Sequence, residues 1–335
     1  MLSKQMIPLP QDIEAVKKLS DFLPDKIFDA HAHLLNTAHL PSMRAGLDYD
    51  LHLDIDTYTR EMSPLLLGPK ELRLNIIAFP DAAMKWPDSA ELQDCDRFIV
   101  EQLEKSDNNV AEIIVSSKHT AEQIEKRLVH PRIKGFKCYH LTADRERTWD
   151  ASIGEYLPES AWEVANAKNM CITLHMVKDH ALSDPENLSY IRKMSRRYPN
   201  AILILAHAAR SFASWTAIEA VEKIADLENV WFDFSAVCES PAMLQIIKKA
   251  GVSRCLWGSD YPVCRGRGKA ISLADSFYWI YENDLANFNS KTTLNHWLIG
   301  IENLYAMRQL AMLADLSRRE VEDIFYNNAM ELWSR

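Results

Sequence analysis

Glycine is scarce in this chain, 9 in 335 residues, well under the usual share of about 7%. The one stretch with a phosphate-loop flavour, Gly266-Arg267-Gly268-Lys269, lacks both the spacing and the Ser/Thr of a P-loop. No C-x-x-C pair occurs among the six cysteines at 95, 138, 171, 238, 255 and 264. Most of them sit in apolar, strand-like runs and read as buried thiols of a reducing cytosol rather than as disulfides. Long apolar runs are absent too. Stretches such as Ala201-Ile202-Leu203-Ile204-Leu205-Ala206 are far too short for a transmembrane helix. The opening MLSKQMIPLPQD has no apolar core of a signal peptide, so a cytoplasmic location is expected. Positive charge is not in excess, with 38 basic against 47 acidic residues and a net charge of −9. With no basic run, neither nucleic acid nor an acidic membrane is an expected partner.

The composition is otherwise ordinary for a globular protein, 47% apolar and 25% charged. At about 150 residues per domain the length allows two domains, but a single (β/α)8 barrel commonly exceeds 250 residues. Strand-like runs fall at Lys26–His33, Arg73–Phe79, Ala111–Ser116, Ile133–Tyr139, Cys171–His175, Ala201–His207, Val230–Ser235 and Arg254–Gly258. Between most of them lie segments of helical spacing, such as Ser160–Asn169 and Pro185–Tyr198. Alternating strands and helices imply parallel strands with crossover helices, and eight such units suggest a closed, distorted TIM barrel. Leu34–Asp56 reads as a lid-like insertion after the first strand. Ile271–Glu282, Leu294–Leu313 and Arg319–Trp333 follow strand eight with helical patterning, the last started by a capping box on Ser317 and Glu320. The expected organisation is one domain over 1–335, with a barrel core over about 26–285 and C-terminal helices over about 291–334.

Chemistry gathers at the strand ends. The first strand closes Ile27-Phe28-Asp29-Ala30-His31-Ala32-His33, and residues i and i+2 of a strand share a face. His31 and His33 can therefore hold one divalent metal together. A lone H-x-H arises readily by chance. Here, however, His175 ends the fifth strand, His207 ends the sixth and Asp260 follows the eighth. Taken singly, each could be a satisfied core histidine or a helix-cap aspartate. Five polar residues at the C-terminal ends of strands, the face where barrel enzymes work, argue for a site.

The pattern resembles the amidohydrolase superfamily, in the branch holding aminocarboxymuconate semialdehyde decarboxylase and many lactonases. The matching stretches are Phe28-Asp29-Ala30-His31-Ala32-His33, Gly135-Phe136-Lys137, Leu174-His175, Ala206-His207, Trp257-Gly258-Ser259-Asp260-Tyr261-Pro262 and the ending Ile324-Phe325-Tyr326-Asn327-Asn328-Ala329. The resemblance implies one divalent cation, usually zinc, on His31, His33, His175 and Asp260, with His207 just beyond it. An open metal position brings a water's pKa toward about 7. Asp260 could then take and pass on its proton, and His207 could support a developing oxyanion. Lys137 has three readings. Carboxylated, it would bridge two metals as in binuclear members; as an ammonium it would face substrate; or it forms a plain ion pair.

Arg210, Arg265 and Arg267 lie on loops after the strands and suit capture of a carboxylate, although each could equally be solvated loop charge. Further substrate-contact candidates are Arg145, Arg147 and Trp149 in the long loop after strand four and Tyr139 at its start, on the face of Lys137. His140 reads as a loop residue, and Trp215, Trp231 and Trp279 as core. The leading expectation is a metal-dependent hydrolase of an ester, lactone or amide in a small anionic organic substrate. The runner-up is a metal-dependent non-oxidative decarboxylase, and a catalytically inactive ligand-binding barrel is the weakest reading. The sequence leaves open whether the chain forms a homo-oligomer.

Overall fold

A computed structural model describes residues 5–285 and 296–334. Eight strands run parallel: β1 (Lys26–Asn36), β3 (Glu71–Ala78), β4 (Val110–Val115), β5 (Ile133–Cys138), β6 (Cys171–Leu174), β7 (Ile202–Leu205), β8 (Val230–Asp233) and β9 (Cys255–Leu256), while the short β2 (His52–Leu53) lies antiparallel against the end of β1. The order β2-β1-β3-β4-β5-β6-β7-β8-β9 follows the chain around the sheet, apart from β2 at its edge. The sheet closes on itself where residues 257–261 meet β1. Ala30 N donates to Trp257 O at 3.0 Å, Asp260 N to His31 O at 2.8 Å and His33 N to Tyr261 O at 2.7 Å. That contact requires Gly258, because a Cβ there would stand 2.7 Å from the Cβ of His31. The result is the expected distorted TIM barrel, with a shorter regular eighth strand than Arg254–Gly258.

Parallel strands put all their C-terminal ends at one mouth. The opposite end is plugged: Phe28, Ala30, Ile204, Trp231 and Leu256 pack with Leu332 and Trp333 of the terminal helix, Phe28 stacking on Trp333 at 5.0 Å. That helix, Asn328–Trp333, continues a helix starting at Arg318 through a wider turn at Asp323–Asn327. Ser317 and Glu320 cap it reciprocally, as the sequence predicts. Glu159–Lys168, Pro185–Arg197 and Ile299–Leu313 are helical as expected, although the predicted start of the last at Leu294 lies outside the described residues.

The expectation of a helix at Ile271–Glu282 is corrected. The segment forms a hairpin, β10 (Gly268–Leu273) with β11 (Ser276–Tyr281), and only Glu282–Leu285 is helical. The aromatics at 277, 279 and 281 alternate with period two, which outweighs the helical reading of the apolar positions. Gly268 makes the pairing feasible: at φ +148° it sits where a Cβ would lie 2.2 Å from the carbonyl oxygen of Ile280. The predicted lid begins later than Leu34, because β1 runs on to Asn36. It then folds into the short helix Pro41–Ala45 and β2. Buried Asp81 anchors that helix, accepting from Ser42 Oγ at 2.8 Å and Ser42 N at 2.9 Å. All six cysteines are buried free thiols.

Candidate active site

A one-residue bulge interrupts β1 between Asp29 and Ala32 and aims both histidines into the mouth. Asp29 fixes the bend by accepting from His31 N at 3.1 Å and Ser259 N at 2.8 Å, while Tyr58 donates to its other oxygen at 2.6 Å. His31 and His33 bring their Nε2 atoms to 3.1 Å of each other. Asp260 Oδ1 lies 3.6 Å from His31 Nε2 and 3.7 Å from His33 Nε2. His31, His207 and Asp260 each offer a donor atom, all within 4.8 Å of one another. The His207 ring packs 5.1 Å from His31 and 5.1 Å from His175, so the four histidines form one group.

These residues fit a divalent cation. Two nitrogens about 2.1 Å from a shared ion stand about 3 Å apart when their angle is near 90°, the separation seen between His31 and His33. The outer nitrogen of three of the four rings is already engaged: His31 Nδ1 with Asp233 Oδ2, His33 Nδ1 with Ala78 O at 3.3 Å and His207 Nδ1 with Ser235 O at 3.1 Å. Acceptors at Nδ1 keep the proton there and turn the Nε2 lone pairs toward the shared centre, as metal-ligating histidines require. His175 Nε2 is buried with no hydrogen-bond partner among the described residues, as a ligand nitrogen awaiting a cation would be. Burial pushes the imidazoles of His31, His33 and His175 well below their usual range and that of His207 to about 3, so all four rings are neutral.

Lys137 rises from the barrel floor, fully buried, with Nζ 3.1 Å from His31 Nε2. Burial lowers its pKa, and the carboxylates of Asp260, Asp233 and Glu112 oppose that shift. Burial likewise raises the Asp260 carboxyl, with Lys137 pulling it back.

The cavity above is about 250 Å³. His33, His175, His207, Asp260, Tyr139 and Arg210 supply its polar groups. Arg210 lies 5.5 Å from the centre of the Trp149 ring and 5.2 Å from that of Phe277, and donates to Lys178 O at 2.9 Å. His207, Ala208, Ala209 and Arg210 all have φ between 52° and 60°, a complete left-handed turn without glycine. Such a turn costs roughly 1–2 kcal/mol per residue, and strain of this kind concentrates at functional positions.

Two expected substrate-binding arginines are corrected. Arg265 turns inward with its side chain fully buried, its Nε 2.9 Å from Glu61 Oε2, and Arg267 grips buried Asp12 with contacts of 3.0 and 2.7 Å. Both brace the fold, because an internal carboxylate at hand outcompetes a solvent-facing pose. Arg145 and Arg147 pair with Glu155 and Asp150 on the loop. His140 opens a short 3-10 turn and is buried beside Trp149, with Nδ1 2.9 Å from Thr148 Oγ1. Trp231 is core, Trp215 is half-buried, and Trp279 is not core but a cavity wall with Phe212 and Phe277.

Sequence reasoning missed Asp233, Ser235 and Glu112. Asp233 ends Val230-Trp231-Phe232-Asp233 as His175 and His207 end their strands, so the same signal was present. Glu112 lies deeper in the barrel, accepting from Asn75 Nδ2 at 3.0 Å and Thr173 Oγ1 at 2.9 Å, and burial raises it to about 7. Nothing in the local sequence separates it from a surface glutamate.

A parallel barrel with histidines and an aspartate converging at its C-terminal mouth defines a metal-site barrel enzyme scaffold. The Amidohydrolase family profile matches residues 28–335, and the chain belongs to that family. No curated protein matches it significantly. Among solved structures, it is similar to an amidohydrolase from Burkholderia multivorans crystallised with zinc (15% identity, TM-score 0.58, covering 92% of this chain and 99% of that one). It is also similar to 5-carboxyvanillate decarboxylase from Sphingomonas paucimobilis (13%, 0.59, 92% and 99%). A third is a Pseudomonas putida protein assigned as a 2-pyrone-4,6-dicarboxylic acid hydrolase (11%, 0.56, 92% and 97%). At these identities the likeness concerns the fold.

Proposed function

We propose that the chain is a metal-dependent hydrolase of an ester, lactone or amide bond in a small, flat, carboxylated substrate. The observation that carries this reading is the placement of Arg210 in the same cavity as His33, His175, His207 and Asp260, between aromatic walls. A divalent cation, zinc by preference, held by His31, His33, His175 and Asp260 would polarise a carbonyl and bring a water's pKa toward about 7. Arg210 binds the substrate carboxylate, its planar fork desolvated by Trp149 and Phe277. Phe212, Phe277 and Trp279 form an apolar wall against which a flat ring packs and which excludes bulk water. Asp260 accepts the proton of the attacking water and passes it to the leaving group. His207 was expected to donate to the oxyanion. With its Nδ1 proton committed to Ser235, its Nε2 is an acceptor, suited to receiving a hydrogen bond or to ligation.

The flat aromatic walls also favour a second reading, decarboxylation of an aromatic acid. The names of the similar Pseudomonas and Sphingomonas proteins each carry a carboxylated compound, one hydrolysed and one decarboxylated. The test incubates zinc-loaded protein with carboxylated aryl esters, lactones and hydroxybenzoates, following acid release and captured CO2 together. Acid release without CO2 supports hydrolysis, CO2 release supports the second reading, and neither across the panel contradicts both.

A further inference from the structure

A second cavity adjoins the one at the metal-site mouth. The second, about 260 Å³, shares Phe79, Val263 and Tyr281 with the first, and Met43, Leu47 and Pro262 extend its wall. Apart from the Tyr281 hydroxyl, those six side chains are apolar. Met43 and Leu47 come from the insertion after β1, and Asp81 accepts backbone hydrogen bonds from Ser42 at 2.9 Å and Met43 at 3.3 Å, so this wall is fastened in place.

The hairpin sets the direction of the combined space. Phe277, Trp279 and Tyr281 are alternate residues of β11 and share one face, while Tyr278 on the other face is 57% exposed. Phe277 packs against Arg210, and Tyr281 stands at the second cavity. Four residues of strand separate the two ends by roughly 13 Å. Between them the rings are continuous: Phe277 to Phe212 at 4.9 Å, Phe212 to Trp279 at 5.2 Å and Trp279 to Tyr281 at 6.2 Å. The charged anchor and the apolar cavity therefore lie at opposite ends of one aromatic wall.

We propose that the second cavity is a subsite for an apolar arm of the substrate, so that the substrate class is a flat carboxylic acid carrying an alkyl or aryl extension remote from its carboxylate. This rests on the reading of Arg210 as the carboxylate anchor. Head and arm are one molecule because the two cavities share three walls and the insertion roofs only the apolar one. The insertion thus sets specificity rather than taking part in bond cleavage.

The test measures binding by calorimetry on zinc-loaded protein, using benzoate and its 4-butyl, 4-hexyl and 4-octyl derivatives as probes, the longest of which spans the roughly 13 Å from the anchor to the apolar cavity. Each methylene that enters the cavity tightens binding about fourfold, the equivalent of about 0.8 kcal/mol per buried CH2. In Leu47→Asp, which sets a carboxylate at the half-buried rim, benzoate binds within about twofold of wild type and the gain with chain length disappears. Met43→Ala, a milder change, reduces the gain without removing it. Dissociation constants that stay flat along the series while benzoate binds overturn the subsite and leave the carboxylate anchor standing. A gain that persists in Leu47→Asp overturns it equally. Failure of every probe to bind overturns the subsite together with the reading of Arg210.

Discussion

His207 and Arg210 occupy the two ends of a single left-handed turn, one facing the candidate metal centre and the other sandwiched between Trp149 and Phe277. The turn couples the reacting end of the cavity to its anionic anchor, so a change of backbone there moves both groups.

Arg210→Ala is expected to raise KM for a carboxylated substrate about 10- to 100-fold, the loss typical of a charge-assisted hydrogen bond. The neutral methyl ester of the same compound should be little affected. Steady-state kinetics on the acid and ester pair checks this. An equal loss for both would assign Arg210 to the fold alone.

The turn itself is testable because its middle residues are Ala208 and Ala209 rather than glycine. Glycine relieves the Cβ clash of the left-handed conformation, about 1–2 kcal/mol, and gives back about 0.5–1 kcal/mol in chain entropy. Loss of the buried Ala208 methyl costs about 0.8 kcal/mol more, so Ala208→Gly should leave Tm close to that of wild type. Ala208→Val, β-branched and fully buried at positive φ, should lower stability by about 2 kcal/mol or more. Thermal melts should show the valine variant well below both the glycine variant and wild type.

Asp233 holds His31 through Nδ1 and also accepts from Ser235 Oγ at 2.9 Å. Asp233→Asn keeps the shape but weakens the orienting contact. Zinc affinity should fall about 10- to 100-fold, measured by competition with a chromophoric chelator, with the circular dichroism spectrum unchanged.

Arg265 makes the opposite prediction from Arg210. Buried against Glu61, which also accepts from Tyr261 at 2.8 Å, it leaves an uncompensated buried charge when removed. Arg265→Ala should cost about 3–5 kcal/mol of stability, seen in chemical denaturation, with no selective effect on KM for acids over esters.

Much of the barrel was legible because strand-helix alternation repeats and each parallel strand is a short apolar run. His31, His33, His175, His207 and Asp260 stood out because each polar residue terminates such a run, and the structure gathers their side chains at one mouth. The hairpin at 268–281 was not legible. Its aromatic alternation is brief, and the close approach at Gly268 that seats it depends on Ile280, twelve residues on. The arginines failed for a related reason: whether Arg265 meets substrate or Glu61 is decided by a residue 204 positions away. Asp233 carried a readable signal, a polar residue ending a strand, while Glu112 did not.

On the proposed function, His31, His33, His175 and Asp260 hold a divalent cation beneath the Arg210 cavity. Equilibrium dialysis against zinc tests it most directly, comparing wild type with His31→Ala. About one tightly bound ion per wild-type chain is expected, and its loss in the folded variant. Wild-type protein that takes up no ion, or a His31→Ala variant that binds zinc as tightly as wild type, would contradict it.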